Sequence, residues 1–387
     1  MTENKNAERI EIERPMDSKA MTNEDIRAVS ACFSTVGTYD SFSPISDGHI
    51  NRTYALNYQT PAGRKRYVLQ AVNTTVFTKP VELIENISRV TDFLREKIRA
   101  EGGDPTRETL RLVEAKDGKL YVENEGGFWR LYDFIEGAVA YQTVERPVLF
   151  ENAARAFGKF QRLLSDYPAA TLHETIPHFH DTPKRFRDFH AALEADVAGR
   201  RKTAEKEIAF YLAQEPISGT ITDEIARGNI PLRVTHNDTK LNNIMMDEKT
   251  DQAVCVIDLD TVMPGSALYD FGDSIRFGAS SGAEDEQDVD KIFMRLDLFQ
   301  SYTAGYLEEA KTALTKAEIA RLPISAVLMT LECGVRFLTD YLNGDTYFQT
   351  GYPTHNLVRC RTQAKLVADM LQKQDQMAQI VSDICKQ

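Results

Sequence analysis

The chain has 387 residues, 42% of them hydrophobic, and a formal net charge of −12. That is enough apolar material for a sizeable core, in one large domain or in two lobes. No run of Lys and Arg supplies the basic face that nucleic-acid binding needs, and no stretch approaches 18 apolar residues, so neither a nucleic-acid partner nor a membrane span is expected.

Residues 1–22 are polar, lack apolar periodicity and read as a flexible segment. Met1 to Ser18 is charged and has no apolar stretch of the secretory kind. The five cysteines (Cys32, Cys255, Cys333, Cys360 and Cys385) are scattered and without CxxC spacing. Together these features lead us to expect a reducing compartment, the cytoplasm, and neither a disulfide framework nor a zinc site.

Strand signals come next. Thr53 to Tyr58 and Tyr67 to Val72 are rich in β formers, with a turn at Pro61-Ala62-Gly63 between them. Pro80 opens a helical pattern in which Val81, Ile84, Ile87 and Val90 recur at spacings of three. Leu110 to Glu114 and Lys119 to Glu123 flank Asp117-Gly118 and predict a hairpin. A further strand is predicted over Phe128 to Phe134. After Gly137 the pattern turns helical, over 146–166, 183–214 and much of 285–341. Strands first and helices later imply an α+β, two-lobed chain. We place a small β-rich lobe with one helix at 23–136, a hinge at Leu131 to Gly137, and a larger, mainly helical lobe at 137–387.

The chemistry gathers in His236-Asn237-Asp238-Thr239-Lys240-Leu241-Asn242-Asn243. Fifteen residues after Asn243, Asp258 follows the apolar run Val254 to Ile257, which reads as a buried strand. Phosphoryl transfer needs a carboxylate to orient an attacking hydroxyl and hard oxygens for Mg²⁺. Asp238 suits the first role; Asn243 and Asp258, with Asp260 as a weaker ligand, suit the second. Lys240 could meet phosphate oxygens as a point charge, and His236 reads as a buried brace rather than an acid or base. His173, His178 and His180 lie close in sequence but show no fixed ligand set.

His236 to Asn243 resembles the protein-kinase catalytic loop H-R-D-L-K-P-E-N, keeping its His, Asp, Lys and final Asn. With Ile257 to Asp260, Gly265, Asp270 and Asp273, the chain resembles the superfamily of aminoglycoside phosphotransferases and choline kinases. Further motifs resemble its N-acetylhexosamine 1-kinase branch, over about residues 40 to 365. These are Ser46 to Asn51, Val68-Leu69-Gln70, Asn73 to Phe77, Phe179 to Pro183, Asp258 to Gly265 and Tyr269 to Asp273.

The resemblance implies a protein-kinase-like fold and a small-molecule kinase using ATP and Mg²⁺. Its acceptor would be the anomeric hydroxyl of N-acetylglucosamine or N-acetylgalactosamine. Asp270 would open a helix as a structural N-cap residue. The nucleotide would meet the turn holding Gly48, Gln70 on the third strand, and the hinge at Asp133 and Ile135. His49, Arg336 and Tyr347 would line the acceptor pocket. Many relatives carry a phosphate-binding Lys at the position of Gln70, and Glu85 would be its helix partner. The same superfamily leaves open an aminoglycoside, a choline-like amine or homoserine as acceptor. Gln70 also motivates a non-catalytic, nucleotide-binding regulatory protein.

Overall fold

A computed structural model describes residues 21–45, 50–144 and 146–386. The chain forms two compact units, Met1–Pro80 with Leu112–Phe134, and Val81–Arg111 with Ile135–Gln387.

The first unit begins with helix α1 (Asn23–Ser30), closed by a capping box between Thr22 and Asp25. Strands β1 (Thr38–Ile45), β2 (Arg52–Thr60), β3 (Gly63–Val72), β4 (Val122–Asn124) and β5 (Gly127–Asp133) follow. They form one antiparallel sheet in the order β1-β2-β3-β5-β4. Strand alternation sorts its faces. Tyr67, Leu69 and Ala71 of β3 join Tyr54, Leu56, Trp129 and Leu131 in a hydrophobic core against α1, whereas Gln70 takes the opposite face beside its cross-strand partners Thr53 and Arg130.

The expected hairpin over 110–123 does not form. A turn is present, with the Gly118 amide bonding to the Ala115 carbonyl at 3.0 Å. Its flanks, however, find partners elsewhere: Val113 donates to the Leu131 carbonyl at 2.8 Å, Ala115 bridges Phe33, and β4 pairs with β5. The edge of a larger sheet offers backbone partners and a buried apolar face that an isolated hairpin lacks.

The second unit takes nearly all of α2 (Pro80–Ala100). The sequence boundaries keep this helix with the sheet, but its polar side chains bind it to the helical unit. The Asn86 amide donates to the carbonyls of His173 (2.8 Å) and Val262 (3.0 Å) and accepts from the His173 amide (2.9 Å). Glu85 meets the His173 ring at 2.7 Å.

Beyond α2 lie β6 (Ala138–Ala140), α3 (Pro147–Leu163), α4 (Thr182–Ala195), α5 (Glu205–Gln214), α6 (Thr222–Ala226), β7 (Arg233–Thr235), β8 (Ile244–Asp247), β9 (Ala253–Val256), β10 (Met263–Gly265), α7 (Ala267–Gly278), α8 (Leu296–Ala310), α9 (Lys316–Leu342), α10 (His355–Gln372) and α11 (Gln374–Lys386). Two small sheets, β10-β7 and β6-β8-β9, are set among the helices. The architecture is thus α+β, with a small antiparallel sheet in one part and a larger, mainly helical part.

Helix α9 is long and apolar enough by composition to cross a membrane, but 78% of its most apolar window is buried inside the molecule, as in a core helix. It anchors β7 as well. Arg233 grips Glu318 with two bonds, Nε to Oε1 at 2.6 Å and Nη2 to Oε2 at 2.9 Å, and also donates to the Ala313 carbonyl. This buried bidentate pair fixes the strand that leads into the His236 loop.

Candidate active site

The 236–243 loop is held mainly through its backbone. Asp270, buried in the first turn of α7, accepts the amides of His236 (3.0 Å) and Asn237 (2.8 Å) and the Gln161 side chain (2.8 Å). The N-cap of α7 is Ser266, not Asp270. Asp270 lies further into the helix, where two successive loop amides converge on its carboxylate and form a small anion nest. Burial pushes the Asp270 carboxyl up, against the opposing pull of His236 and these hydrogen bonds. Behind it, Ser274 donates to the Thr239 carbonyl at 2.7 Å.

His236 is fully buried between Phe157 and Phe160. Its Nε2 meets the Ile257 carbonyl at 2.9 Å and so donates; its Nδ1 then accepts the Asp238 amide at 3.3 Å. The ring is a brace between the loop and the end of β9. Asn237 adopts left-handed backbone geometry (φ 66°), which Asn tolerates better than most residues.

Three of the expected site residues converge here. Lys240 Nζ lies 2.7 Å from Asp238 Oδ1, and the Asn243 side-chain amide donates to Asp238 Oδ2 (3.2 Å) and to its carbonyl (2.8 Å). Burial would lower the Lys240 pKa, but Asp238 and Asp273 outweigh it and hold the ammonium above its ordinary value.

Asn243 also positions Asp258. Ile244 pairs with Val256, and the Ile257 amide bonds to the Asn243 carbonyl at 2.9 Å, so Asp258 leaves β9 beside Asn243. Asp258 is itself left-handed (φ 58°), and Asp260, 3% exposed, follows in the turn Leu259–Thr261. With its NH₂ turned to Asp238, Asn243 has its amide oxygen left for another partner. An amide oxygen and a carboxylate are hard donors, and among the described residues no group of three or more His, Cys, Asp or Glu could enclose a metal. This donor set fits Mg²⁺, which takes few protein ligands and completes its shell with phosphate and water.

Near the loop stand several charge pairs that the sequence did not link. Arg276 bonds Asp273 (2.8 Å) and Glu284 (2.9 Å). Burial would raise Asp273, but Arg276 and Lys240 hold its carboxyl below the usual range. His180 bridges Glu332 (2.8 Å) and the Asn237 carbonyl (3.1 Å). One turn along α9, Arg336 lies over the rings of Tyr347 (5.8 Å) and Phe348 (5.4 Å). Tyr347 is 70% exposed, and Asp340 fixes its segment by accepting the amides of Thr346, Tyr347 and Phe348. Arg336 and Tyr347 therefore come together. The three histidines close in sequence separate onto different carboxylates: His173 with Glu85, His178 with Asp181, and His180 with Glu332. A cavity of about 250 Å³ lies beside the loop, with Phe179, His180, Asn237, Met263 and Tyr269 in its wall.

Of the remaining predicted residues, Gln70 and Asp133 belong to the sheet-bearing unit and Ile135 to the second. Gly48 and His49 lie outside the described residues. Gln70 donates to Thr53 Oγ1 (3.1 Å) and accepts from Arg130 Nε (3.0 Å). The neutral amide thus orients a buried guanidinium on the adjacent strand, a residue the sequence did not single out. Asp133 pairs with Lys65 at 2.7 Å, and Ile135 is buried where the chain passes into the second unit.

Residues 41–308 match the APH phosphotransferase enzyme family. Solved structures share the fold at low identity. A microcompartment-associated aminopropanol kinase is 16% identical, with a TM-score of 0.60 over 91% of this chain and 98% of its own. An aminoglycoside phosphotransferase from Alicyclobacillus acidocaldarius is 13% identical, with a TM-score of 0.56 over 96% and 99%. Choline kinase from Cryptosporidium parvum is 12% identical, with a TM-score of 0.55 over 94% and 99%. The family match spans well over half of the chain and includes the whole 236–243 loop with Asp258 and Asp270, so the chain belongs to the APH phosphotransferase enzyme family.

Proposed function

We propose that this phosphotransferase is an ATP- and Mg²⁺-dependent kinase that phosphorylates the anomeric hydroxyl of an N-acetylhexosamine. The observation that carries the kinase assignment is the Asp238 carboxylate, held by Lys240 and Asn243 beside the strand-end Asp258.

Asp238 orients the acceptor hydroxyl and takes its proton as the bond to phosphorus forms. Because phosphoryl transfer depends mainly on positioning and charge stabilisation, a carboxylate is a sufficient base. Lys240 keeps that carboxylate in one orientation and supplies a fixed positive charge for phosphate oxygens. Asn243 and Asp258, with Asp260 as a weaker ligand, would hold Mg²⁺, which when bound neutralises phosphate charge. Gly48, Gln70, Asp133 and Ile135 serve the nucleotide in this reading, with Arg130, oriented by Gln70, as a cation on the same strand pair.

The pairing of three carboxylates near the loop supports a neutral polyol acceptor over an amine. Asp273 and Glu284 are engaged by Arg276, and Glu332 by His180 and Thr182. At these three carboxylates a cationic acceptor would have to break a pair that holds a buried partner, Arg276 or His180. Arg336 with the exposed Tyr347 ring offers what a sugar uses instead, hydrogen-bond donors next to an aromatic face. His49 completes this acceptor set in the proposal.

The test is ADP release from Mg-ATP with a panel of acceptors: N-acetylglucosamine, N-acetylgalactosamine, galactose, choline, ethanolamine and an aminoglycoside. Turnover is expected with the N-acetylhexosamines. Activity confined to the amines would overturn the acceptor assignment, and no Mg²⁺-dependent turnover with any acceptor would favour a regulatory role.

A further inference from the structure

One peptide plane decides where the Asp238 side chain starts, the unit joining Asn237 to Asp238. Its N–H is taken by His236 Nδ1 at 3.3 Å and its C=O faces His180 Nε2 at 3.1 Å. The first contact belongs to the loop itself. The second comes from outside it, from the residue two before helix α4.

His180 is unusual in its partners. Its Nδ1 faces Glu332 Oε1 at 2.8 Å while its Nε2 faces a carbonyl, so both ring nitrogens have an oxygen partner. Glu332 is 1% exposed, and its second oxygen accepts the Thr182 hydroxyl at 2.6 Å. Two rings pack against the imidazole, Phe179 at 4.6 Å and Tyr269 at 5.1 Å between centroids. A fully buried carboxylate costs several kcal/mol unless it is paired and hydrogen-bonded. Here its partners do more than neutralise it, because they extend from α9 to the backbone of the loop. Burial would raise the Glu332 carboxyl, yet His180 and the bond from Thr182 outweigh it and keep it below its usual range.

We infer that His180, held by Glu332, is a positioning residue that sets the Asn237–Asp238 peptide and thereby aims the Asp238 carboxylate. This rests on the reading of Asp238 as the base. Glu332 and Arg336 are one turn apart on α9, so the helix that carries Arg336 also determines the placement of the base. An acceptor resting on Arg336 and a hydroxyl presented to Asp238 are thus referred to one rigid element.

The test compares His180→Ala and His180→Gln with wild type. A Gln side-chain amide can still donate to the Asn237 carbonyl, whereas Ala cannot. Turnover is read as ADP release from Mg-ATP with N-acetylglucosamine, and loop order as hydrogen–deuterium exchange of the peptide covering 236–243. For His180→Ala we expect kcat to fall by about tenfold or more, the effect of a small misplacement of a reacting group, with KM for ATP within about twofold and faster exchange confined to that peptide. His180→Gln should restore most of both. A folded His180→Ala protein with wild-type kcat and wild-type exchange would overturn the inference. So would a His180→Gln protein that melts like wild type yet matches Ala in both readouts. Asp238→Asn, measured alongside, separates the two claims. If it turns over like wild type, the base reading fails, and the exchange data alone judge the clamp.

Discussion

Asp238→Asn should reduce turnover by about 10²- to 10⁴-fold, the usual worth of a positioned general base, while leaving folding and nucleotide affinity close to wild type. Asn matches Asp in size, so the bond from Asn243 to the residue 238 carbonyl remains available. Lys240 is not left alone, since Asp273 also stabilises its charge. What disappears is the proton acceptor, together with the carboxylate that orients the hydroxyl. Steady-state ADP release, with nucleotide binding by calorimetry as the control, separates this outcome from general damage. A variant with more than half of wild-type kcat would show that Asp238 is not the base.

Asp270→Ala should be the most destabilising of the substitutions considered. It removes the acceptor of two backbone amides and of the Gln161 side chain, all buried. An unsatisfied buried donor costs about 1–3 kcal/mol. With partial relaxation we expect a loss of about 3–5 kcal/mol, or a melting temperature lower by about 5 °C for a chain of this length. Asp270→Asn should be milder, because its carbonyl oxygen can still accept one of the two amides while its NH₂ cannot face the other. Differential scanning fluorimetry of both variants checks the order. Asp270→Ala melting within about 1 °C of wild type, the shift of a sub-kcal/mol change, would contradict the loop-nest role.

These two residues show what was legible in the sequence and why. Asp238, Lys240 and Asn243 lie within six residues of one another, and Asp258 ends the next apolar strand, so local spacing alone places them together. The α+β order of elements was legible for a similar reason, since strand and helix periodicities are local. Asp270 was visible as a helix-opening acid, but its target was not. The two amides it accepts lie 33 and 34 residues earlier, and nothing in the helix sequence points at them. The His180–Glu332 bond spans 152 residues and the Gln70–Arg130 bond spans 60. Such pairs arise only when helices and strands pack. The 110–123 hairpin erred in the opposite sense: Asp117-Gly118 does make a turn, but local turn chemistry could not reveal that β5 would take the flanking backbone.

In the proposed reaction a phosphoryl group passes from ATP to the anomeric oxygen of an N-acetylhexosamine, with Asp238 as the base. Its most direct test is ¹H–³¹P correlation NMR of the product formed from Mg-ATP and N-acetylglucosamine. A phosphorus coupled to the H1 proton of the sugar is expected. A phosphorus coupled instead to the protons at C3 or C6, or no phosphorylated sugar at all, would contradict it.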